Sequence, residues 1–304
     1  MKNRISAAQL KGIFPALATP VTADGRIDAQ AVQALLQHLQ GSGISGTVPL
    51  GGTGEYGAIS RAERARMVAL VREHQAAELP VLAGVLDPGF YDALDSGKAL
   101  ADAGADALMV LTPYYTTPTQ QGIRDYFMRY ADASPVPVVI YEIPYRTRIS
   151  IAPEVLHELS RHENIIGLKA CNTDMYHFLK VVKGVSDSFA VLSGEDTIFP
   201  AQMLTGAQGG IIVTANLLPK TWVQMYQLLA AGQREEALQL HQQLIPLLDL
   251  AFAETNPGPM KSVWDLVGVQ APHLLAPLVN CNPDTSARLR SELQARLVPE
   301  AQLG

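Results

Sequence analysis

Residues 46–63, GTVPLGGTGEYGAISRAE, are the stretch that points to the fold. The apolar residues 46–50 predict a strand, a glycine-rich turn follows, and the spacing of Ser60 and Glu63 matches a capping box at a helix start. The apolar run is continuous rather than alternating, which is typical of a parallel strand buried on both faces. The stretch therefore predicts one strand–turn–helix unit of an α/β fold.

The same unit recurs along the chain. Eight short apolar segments predict strands at residues 13–19, 46–50, 81–85, 107–112, 136–143, 165–170, 190–193 and 210–215, and helical periodicity follows them, as over residues 28–40. Eight strand–helix units are the number found in a (β/α)8 TIM barrel. An open doubly wound sheet is the alternative, but the chain lacks both a GxGxxG motif after the first strand and a phosphate-binding GxxxxGK motif.

After about residue 218 the pattern becomes helical only. Helices are predicted at residues 220–231, 235–252, 260–267 and 284–297, separated by the turns NPGP and NCNPD. We expect residues 1–231 to form the barrel that carries the active site. Residues 232–304 should form a C-terminal helical segment packed on it, because no low-complexity linker separates the two parts.

Composition limits the classes of function. Hydrophobic residues make up 48% of the 304 residues and charged residues 17%, as in a globular protein. The net charge of −6 argues against nucleic acid as a partner, and no apolar run is long enough to cross a membrane. The N-terminus lacks the apolar centre of a signal peptide. Cys171 and Cys281 are far apart and the histidines show no paired spacing, so we expect a cytoplasmic protein without a metal site.

Two predicted strand ends carry residues suited to covalent chemistry. Lys169 ends an apolar strand, where burial would favour the neutral amine that can form a Schiff base. The alternative is a lysine that extends from the strand end to solvent. Tyr141 ends the preceding strand, where its phenol could transfer protons or simply hydrogen-bond to the backbone.

The glycine-rich turn over residues 51–54 and the nearby Arg146 are candidate anion-binding groups. Backbone N–H groups in such a turn can hold an anion without a charged side chain, and beside an imine-forming lysine the fitting anion is a 2-oxo acid carboxylate. Two alternatives are that the turn binds a phosphate group, or that it only connects the strand to the next helix and binds nothing. Arg146 could bind a second carboxylate or a polyol, or it could pair with Glu142 or Asp174.

Six motifs occur in order along nearly the whole chain: GGTGE, TPYY, YxxPxRT, GxKxxN, LSGED and GxIxVTAN. Together they resemble the dihydrodipicolinate synthase / N-acetylneuraminate lyase family of Schiff-base-forming aldolases. The resemblance implies a (β/α)8 barrel with a C-terminal helical segment. It also implies assembly as a homotetramer and no metal or organic cofactor.

The resemblance implies three catalytic residues. Lys169 matches the Schiff-base lysine, and Tyr141 matches the catalytic tyrosine above it. Tyr115 matches a tyrosine of the synthases' proton relay, which is contributed across a subunit interface.

Five further residues match substrate-binding positions of that family. Thr53, with the backbone of the turn that includes Gly52, matches the loop that holds the pyruvate carboxylate. Arg146 matches the arginine that receives the aldehyde's carboxylate. Gly194 and Ile211 match positions that line the substrate pocket.

The chain departs from the family pattern in several places. Gly52 stands where synthases have threonine and neuraminate lyases have serine. A glycine at this position is more similar to the keto-deoxy sugar-acid dehydratases of the family. The positions that differ near the site are Glu142, Tyr145 and Cys171, and those that differ from the lysine feedback site of many synthases are Tyr56, Arg61 and Pro88. Imine chemistry is compatible with all of these changes, whereas a role in lysine biosynthesis fits them less well.

We therefore expect a lyase that forms a Schiff base with pyruvate or another 2-oxo acid and carries out a synthase-type condensation. The alternative is a 2-keto-3-deoxy sugar-acid dehydratase or aldolase of the same family, favoured by Gly52. A non-catalytic sensor that binds a carboxylate is a third hypothesis, and the pairing of Lys169 with Tyr141 argues against it.

Overall fold

A computed structural model describes residues 5–303 of the chain. In these residues, seven parallel strands form one sheet in the order β1-β7-β6-β5-β4-β3-β2. The strands are β1 (Gly12–Pro15), β2 (Leu82–Val85), β3 (Ala107–Leu111), β4 (Val138–Glu142), β5 (Ile165–Ala170), β6 (Ala190–Ser193) and β7 (Gly209–Ile212). Every residue in them is buried, as expected for a sheet covered on both faces.

Residues 47 and 48 take the eighth position and close the barrel. Val48 pairs in parallel with Ala16, and Thr47 pairs with Val81. The predicted strand at residues 46–50 is thus reduced to two bridging residues, because Leu50 has a φ of 65° and the chain leaves the extended conformation there. The architecture is the (β/α)8 barrel predicted from the sequence.

Helices cover the outside of the barrel and form the C-terminal part of the chain. They are α1 (Ala29–Leu39), α2 (Arg61–His74), α3 (Phe90–Asp102), α4 (Gln120–Ala133), α5 (Pro144–Thr147), α6 (Pro153–Leu159), α7 (Met175–Gly184), α8 (Phe199–Leu204), α9 (Pro219–Ala230), α10 (Arg234–Ala251), α11 (Gly258–Lys261) and α12 (Pro283–Gln302). Instead of one helix over residues 260–267, α11 is followed by a separate 3₁₀ turn, Trp264–Val267. None of the helices described in residues 5–303 is long and apolar enough to span a membrane.

The start of α2 forms only half of the predicted capping box. The Ser60 hydroxyl accepts a hydrogen bond from the Glu63 N–H group. The Glu63 carboxylate, however, accepts the N–H of Ile27 at 2.7 Å rather than that of Ser60. It thereby joins α2 to the loop before α1.

The last helix, α12, is attached to the barrel through Glu300. Its carboxylate accepts hydrogen bonds from the N–H groups of Lys220 and Thr221, at 2.7 and 2.8 Å. These groups lie in the first turn of α9, where N–H groups have no partner within the helix. The C-terminal segment therefore contacts the barrel directly, while the division of the chain at residue 231 remains a prediction.

Candidate active site

Lys169 and Tyr141 lie side by side on neighbouring strands. They are directly paired in the register of β4 and β5, and their exposed fractions are 4% and 3%. The Lys169 Nζ atom lies 4.5 Å from the centre of the Tyr141 ring. Because both residues stand near the carboxyl ends of their strands, amine and phenol reach the same end of the barrel. The lysine does not extend to solvent.

A cavity of about 400 Å³ opens at this end of the barrel. It is lined by six of the predicted site residues: Gly52, Thr53, Tyr141, Arg146, Lys169 and Gly194. Gly194 has no side chain and lines the cavity with its backbone. A larger residue would not fit at this position, because its Cβ atom would lie 2.2 Å from the Cys171 Sγ atom. The structure thus brings these six residues into one site.

The glycine-rich turn stands directly over β2. A Cβ atom on Gly84 would lie 2.2 Å from the carbonyl oxygen of Leu50, so this approach requires glycine. Within the turn, Thr53 is buried, and its hydroxyl oxygen accepts a hydrogen bond of 2.8 Å from the Asn256 side-chain amide. The hydroxyl proton of Thr53 is then left to donate to a bound ligand.

Arg146 reaches the site from α5, which directly follows β4. Its Nη1 atom lies 3.1 Å from the point where a Cβ atom on Gly52 would stand. The two carboxylates considered as partners for it are engaged elsewhere: Glu142 accepts from Ser150 and Ile151, and Asp174 caps α7. The guanidinium group is therefore directed into the cavity.

Two predicted site residues lie outside the cavity lining. Tyr115 has a φ of 76° and an exposed fraction of 94%, and it is not among the residues that line the cavity of its own chain. Ile211 is fully buried in the barrel wall, where it pairs with Phe14, and Val213 lines the cavity instead. The predicted contribution of Ile211, which was expected mostly through its backbone, stays a prediction. The role of Tyr115 remains a prediction.

The cavity contains a carboxyl group that the sequence did not single out. Glu195 follows β6 and adjoins the Tyr145 hydroxyl and the Cys171 thiol. Burial, together with the neighbouring carboxylate of Asp196, raises the pKa of Glu195 to about 7. Its place in LSGED, directly after a predicted strand, was the available signal.

The C-terminal segment also contributes to the cavity, which the sequence did not indicate. Phe252, Glu254, Thr255 and Asn256 line it from the stretch that follows α10. A buried ion pair between Glu55 and Lys261 ties this stretch to the glycine-rich turn. Burial lowers the pKa of Lys261, while the Glu55 carboxylate opposes that change. Among residues 5–303 no group of three or more His, Cys, Asp or Glu side chains could hold a metal ion.

Comparison with known proteins gives a consistent family. The model of the dihydrodipicolinate synthetase family matches residues 9–296. The 4-hydroxy-tetrahydrodipicolinate synthase of Methanothrix thermoacetophila is 34% identical over 93% of this chain and 96% of its own length. That of Haloarcula marismortui is 36% identical over 95% of this chain and 94% of its own.

Solved structures agree with these relatives. The dihydrodipicolinate synthase from Aquifex aeolicus has a TM-score of 0.90 and 29% identity, covering 95% of this chain and 99% of that one. The 4-hydroxy-tetrahydrodipicolinate synthase from Methylacidiphilum fumariolicum has a TM-score of 0.91 and 30% identity, covering 97% and 99%. The chain therefore belongs to the dihydrodipicolinate synthetase family and is an enzyme of its Schiff-base-forming lyase class.

Proposed function

We propose that this enzyme forms a Schiff base between the Lys169 amine and pyruvate and then adds the resulting enamine to an aldehyde, as in a dihydrodipicolinate synthase. The observation that carries the proposal is the pairing of Lys169 with Tyr141 in one buried cavity, beside a turn suited to a carboxylate. The retained lysine–tyrosine pair argues against a non-catalytic sensor.

Each residue has a specific role in this reaction. The Thr53 hydroxyl and the N–H groups of residues 51–54 bind the pyruvate carboxylate. The Lys169 amine attacks the 2-oxo carbon, and the carbinolamine loses water to give an iminium ion. Burial raises the pKa of Tyr141, so its phenol stays protonated and can donate to the departing oxygen.

The iminium ion acidifies the adjacent methyl carbon, whose loss of a proton gives the nucleophilic enamine. Arg146 then holds a carboxylate of the incoming aldehyde, because its guanidinium group points into the cavity. The names of the relatives favour this condensation. A 2-keto-3-deoxy sugar-acid dehydratase or aldolase is the second candidate, favoured by the absence of a hydroxyl group at Gly52.

Borohydride trapping tests the proposal. Reduction in the presence of pyruvate should add the mass of a reduced pyruvate adduct to the peptide that contains Lys169, and the Lys169→Ala variant should show no gain. An unmodified wild-type lysine would exclude the mechanism. Turnover with aspartate semialdehyde, compared with a 2-keto-3-deoxy acid, then separates the two candidates, because activity with only the second removes the synthase assignment.

We further propose a cytoplasmic homotetramer in which Tyr115 is covered by a neighbouring subunit. The exposed fraction of Tyr115, 94%, supports a contact that is absent from a single chain. One solved dihydrodipicolinate synthase is described as a monomeric variant, so the number of chains in this protein must be measured directly. Sedimentation velocity should give the mass of four chains, and a monomer would contradict the proposal.

A further inference from the structure

Glu142 is a buried carboxylate next to Tyr141 that the proposed steps do not use. It is the last residue of β4, its exposed fraction is 1%, and it stands at one of the positions where this chain departs from the family pattern. A buried carboxylate is costly unless it is hydrogen-bonded. The groups that bond to it therefore indicate what it does.

The Glu142 carboxylate joins the two ends of one loop. Its Oε1 atom accepts hydrogen bonds of 2.9 Å from the Ser150 hydroxyl group and from the Ile151 N–H group. The chain leaves β4 at Glu142, and Ile151 is fully buried just before α6. A single oxygen atom thus fixes the end of the strand relative to the far end of the loop over residues 143–150.

This loop carries α5, which presents Arg146 and Tyr145 to the cavity. α5 has only four residues, and a helix so short is not stable on its own. Directly after it the chain turns sharply, since Arg148 has a φ of 61°. The direction of α5, and with it that of the Arg146 side chain, therefore depends on how the ends of the loop are held.

Other side chains hold the far end of the loop from different elements. The Gln120 amide, from α4, donates to the Ser150 carbonyl oxygen at 2.9 Å, and the Asn172 amide donates to the Ser150 hydroxyl oxygen at 3.1 Å. Among the hydrogen bonds of residues 5–303 that reach Ser150 and Ile151, those of Glu142 are the ones that come from β4. Glu142 thus relates the loop directly to the strand that carries Tyr141.

Glu142 acts here as a hydrogen-bond acceptor more than as a charge. The basic group paired with it in the part of the chain that the structure describes is the His177 imidazole of α7. The His177 Nε2 atom lies 3.6 Å from the Glu142 Oε1 atom, which is too far for a hydrogen bond. A glutamine side chain also ends in an acceptor oxygen, so it should hold the loop nearly as well.

We propose that Glu142 is a positioning residue, which directs Arg146 into the cavity and so sets the affinity for the carboxylate of the second substrate. The proposal rests on the function proposed above. Glu142 does not line the cavity, so it acts through the loop. Tyr141 is held by the pairing of β4 with both neighbouring strands, and imine formation should not depend on Glu142.

Glu142→Ala tests this role, with pyruvate saturating and aspartate semialdehyde varied. The KM for aspartate semialdehyde should rise about fivefold to tenfold, because Arg146 loses its orientation towards the substrate. The kcat and the rate of pyruvate trapping by borohydride should stay within about twofold of wild type. Glu142→Gln should keep a KM within about twofold. An unchanged KM in Glu142→Ala would overturn the proposal, and so would a glutamine variant as impaired as the alanine variant.

The matched control is Asp28→Ala. Asp28 also accepts a backbone N–H group, that of Ala31 at 3.0 Å, but it does not line the cavity and is not part of the loop. This variant should lose a similar hydrogen bond and keep the wild-type KM. An equal rise in KM in Asp28→Ala would mean that general loss of stability is the cause, which would overturn the proposal.

A double variant shows whether Glu142 acts through Arg146. Arg146→Ala should raise the KM for aspartate semialdehyde about 10²-fold, and adding Glu142→Ala should then change it by less than about twofold. Additive effects would overturn the proposal.

If Glu142→Ala does not fold, Ser150→Ala replaces it, because it removes one of the two hydrogen bonds and leaves the carboxylate in place. That variant should raise the KM about threefold, and an unchanged value would overturn the proposal. A wild-type enzyme that does not trap pyruvate or turn over aspartate semialdehyde would instead overturn the proposed function, on which this role depends.

Discussion

The Arg146 guanidinium group occupies the space beside Gly52 that a larger residue would need. Its Nη1 atom lies 3.1 Å, and the Tyr141 hydroxyl 3.8 Å, from the point where a Cβ atom on Gly52 would stand. Residue 52 therefore limits where the cationic group can lie. Gly52 does not have a positive φ, so a side chain can be introduced there without backbone strain.

Gly52→Thr should change the binding of the second substrate. The added side chain displaces the flexible end of Arg146, and we expect KM for that substrate to rise about tenfold, the effect of losing one charged hydrogen bond. Gly52→Ala is the control that adds the Cβ atom without a hydroxyl. Steady-state kinetics with pyruvate saturating checks this, and an unchanged KM in both variants would show that Arg146 does not bind that substrate.

Tyr141→Phe should slow imine formation while leaving the packing against Lys169 intact. The ring remains 4.5 Å from the Lys169 Nζ atom, so only the proton transfer is lost. We expect a decrease of about 10²- to 10⁴-fold in the rate of pyruvate adduct formation, the usual contribution of general acid–base catalysis. Quenching with borohydride at timed intervals measures this rate. A wild-type rate would remove the tyrosine from the mechanism.

Asn256→Ala should weaken pyruvate binding through Thr53. The amide of Asn256 donates to the Thr53 hydroxyl at 2.8 Å and so directs the hydroxyl proton towards the ligand. Loss of that orientation should raise the pyruvate KM by about fivefold to tenfold, near 1 kcal/mol. A Thr53→Val variant should show an equal or larger increase, and the double variant should add little to it. Fully additive effects would mean that the two residues act independently.

Loss of the Lys261 charge should destabilise the fold. The Glu55–Lys261 pair is fully buried, and Lys261→Met leaves the Glu55 carboxylate without its partner. We expect a loss of about 3–5 kcal/mol in the free energy of unfolding. The double variant Glu55→Gln with Lys261→Met should recover part of it, as urea denaturation can measure. If Lys261→Met alone were as stable as wild type, the buried ion pair would not contribute to stability as we expect.

Glu195 should make stability depend on pH. Its pKa is raised from 4.5 to about 7 in the folded state, so it contributes stability in full below pH 4.5 and loses that contribution as the pH rises through 7. Glu195→Gln should therefore gain up to about 3 kcal/mol relative to wild type between pH 5 and pH 8. Urea denaturation at the two pH values tests this. An equal pH dependence in both proteins would mean that the carboxyl is not desolvated.

The barrel and its two central residues were predictable because they depend on local pattern. Continuous apolar runs located the strands, and a strand end fixes which end of the barrel Lys169 and Tyr141 occupy. The eighth strand position was overestimated, because pairing there ends with the positive φ of Leu50. Only one of the two hydrogen bonds of the predicted capping box forms, because the Glu63 carboxylate accepts a hydrogen bond from the N–H of Ile27, 36 residues away.

The residues around the mouth of the cavity could not be predicted, because their contacts join parts of the chain that are distant in the sequence. The pKa of Glu195 is raised mainly by burial and by the neighbouring Asp196, and Tyr145 and Cys171, which belong to other strand–helix units, lower it in part. The contact between Asn256 and Thr53 joins residues 203 apart in the sequence. Such relationships arise only after the chain has folded, and no local pattern encodes them.

The register between β4 and β5 makes the imine-forming pair part of the barrel wall, whereas Tyr145, Glu195 and residues 252–256 belong to loops and the C-terminal stretch. Loops tolerate change better than paired strands. Selection can therefore alter which partner molecule the enamine meets by exchanging a few rim residues, without rebuilding the machinery that creates it. This separation makes the scaffold a practical starting point for engineering carbon–carbon bond formation with new acceptors.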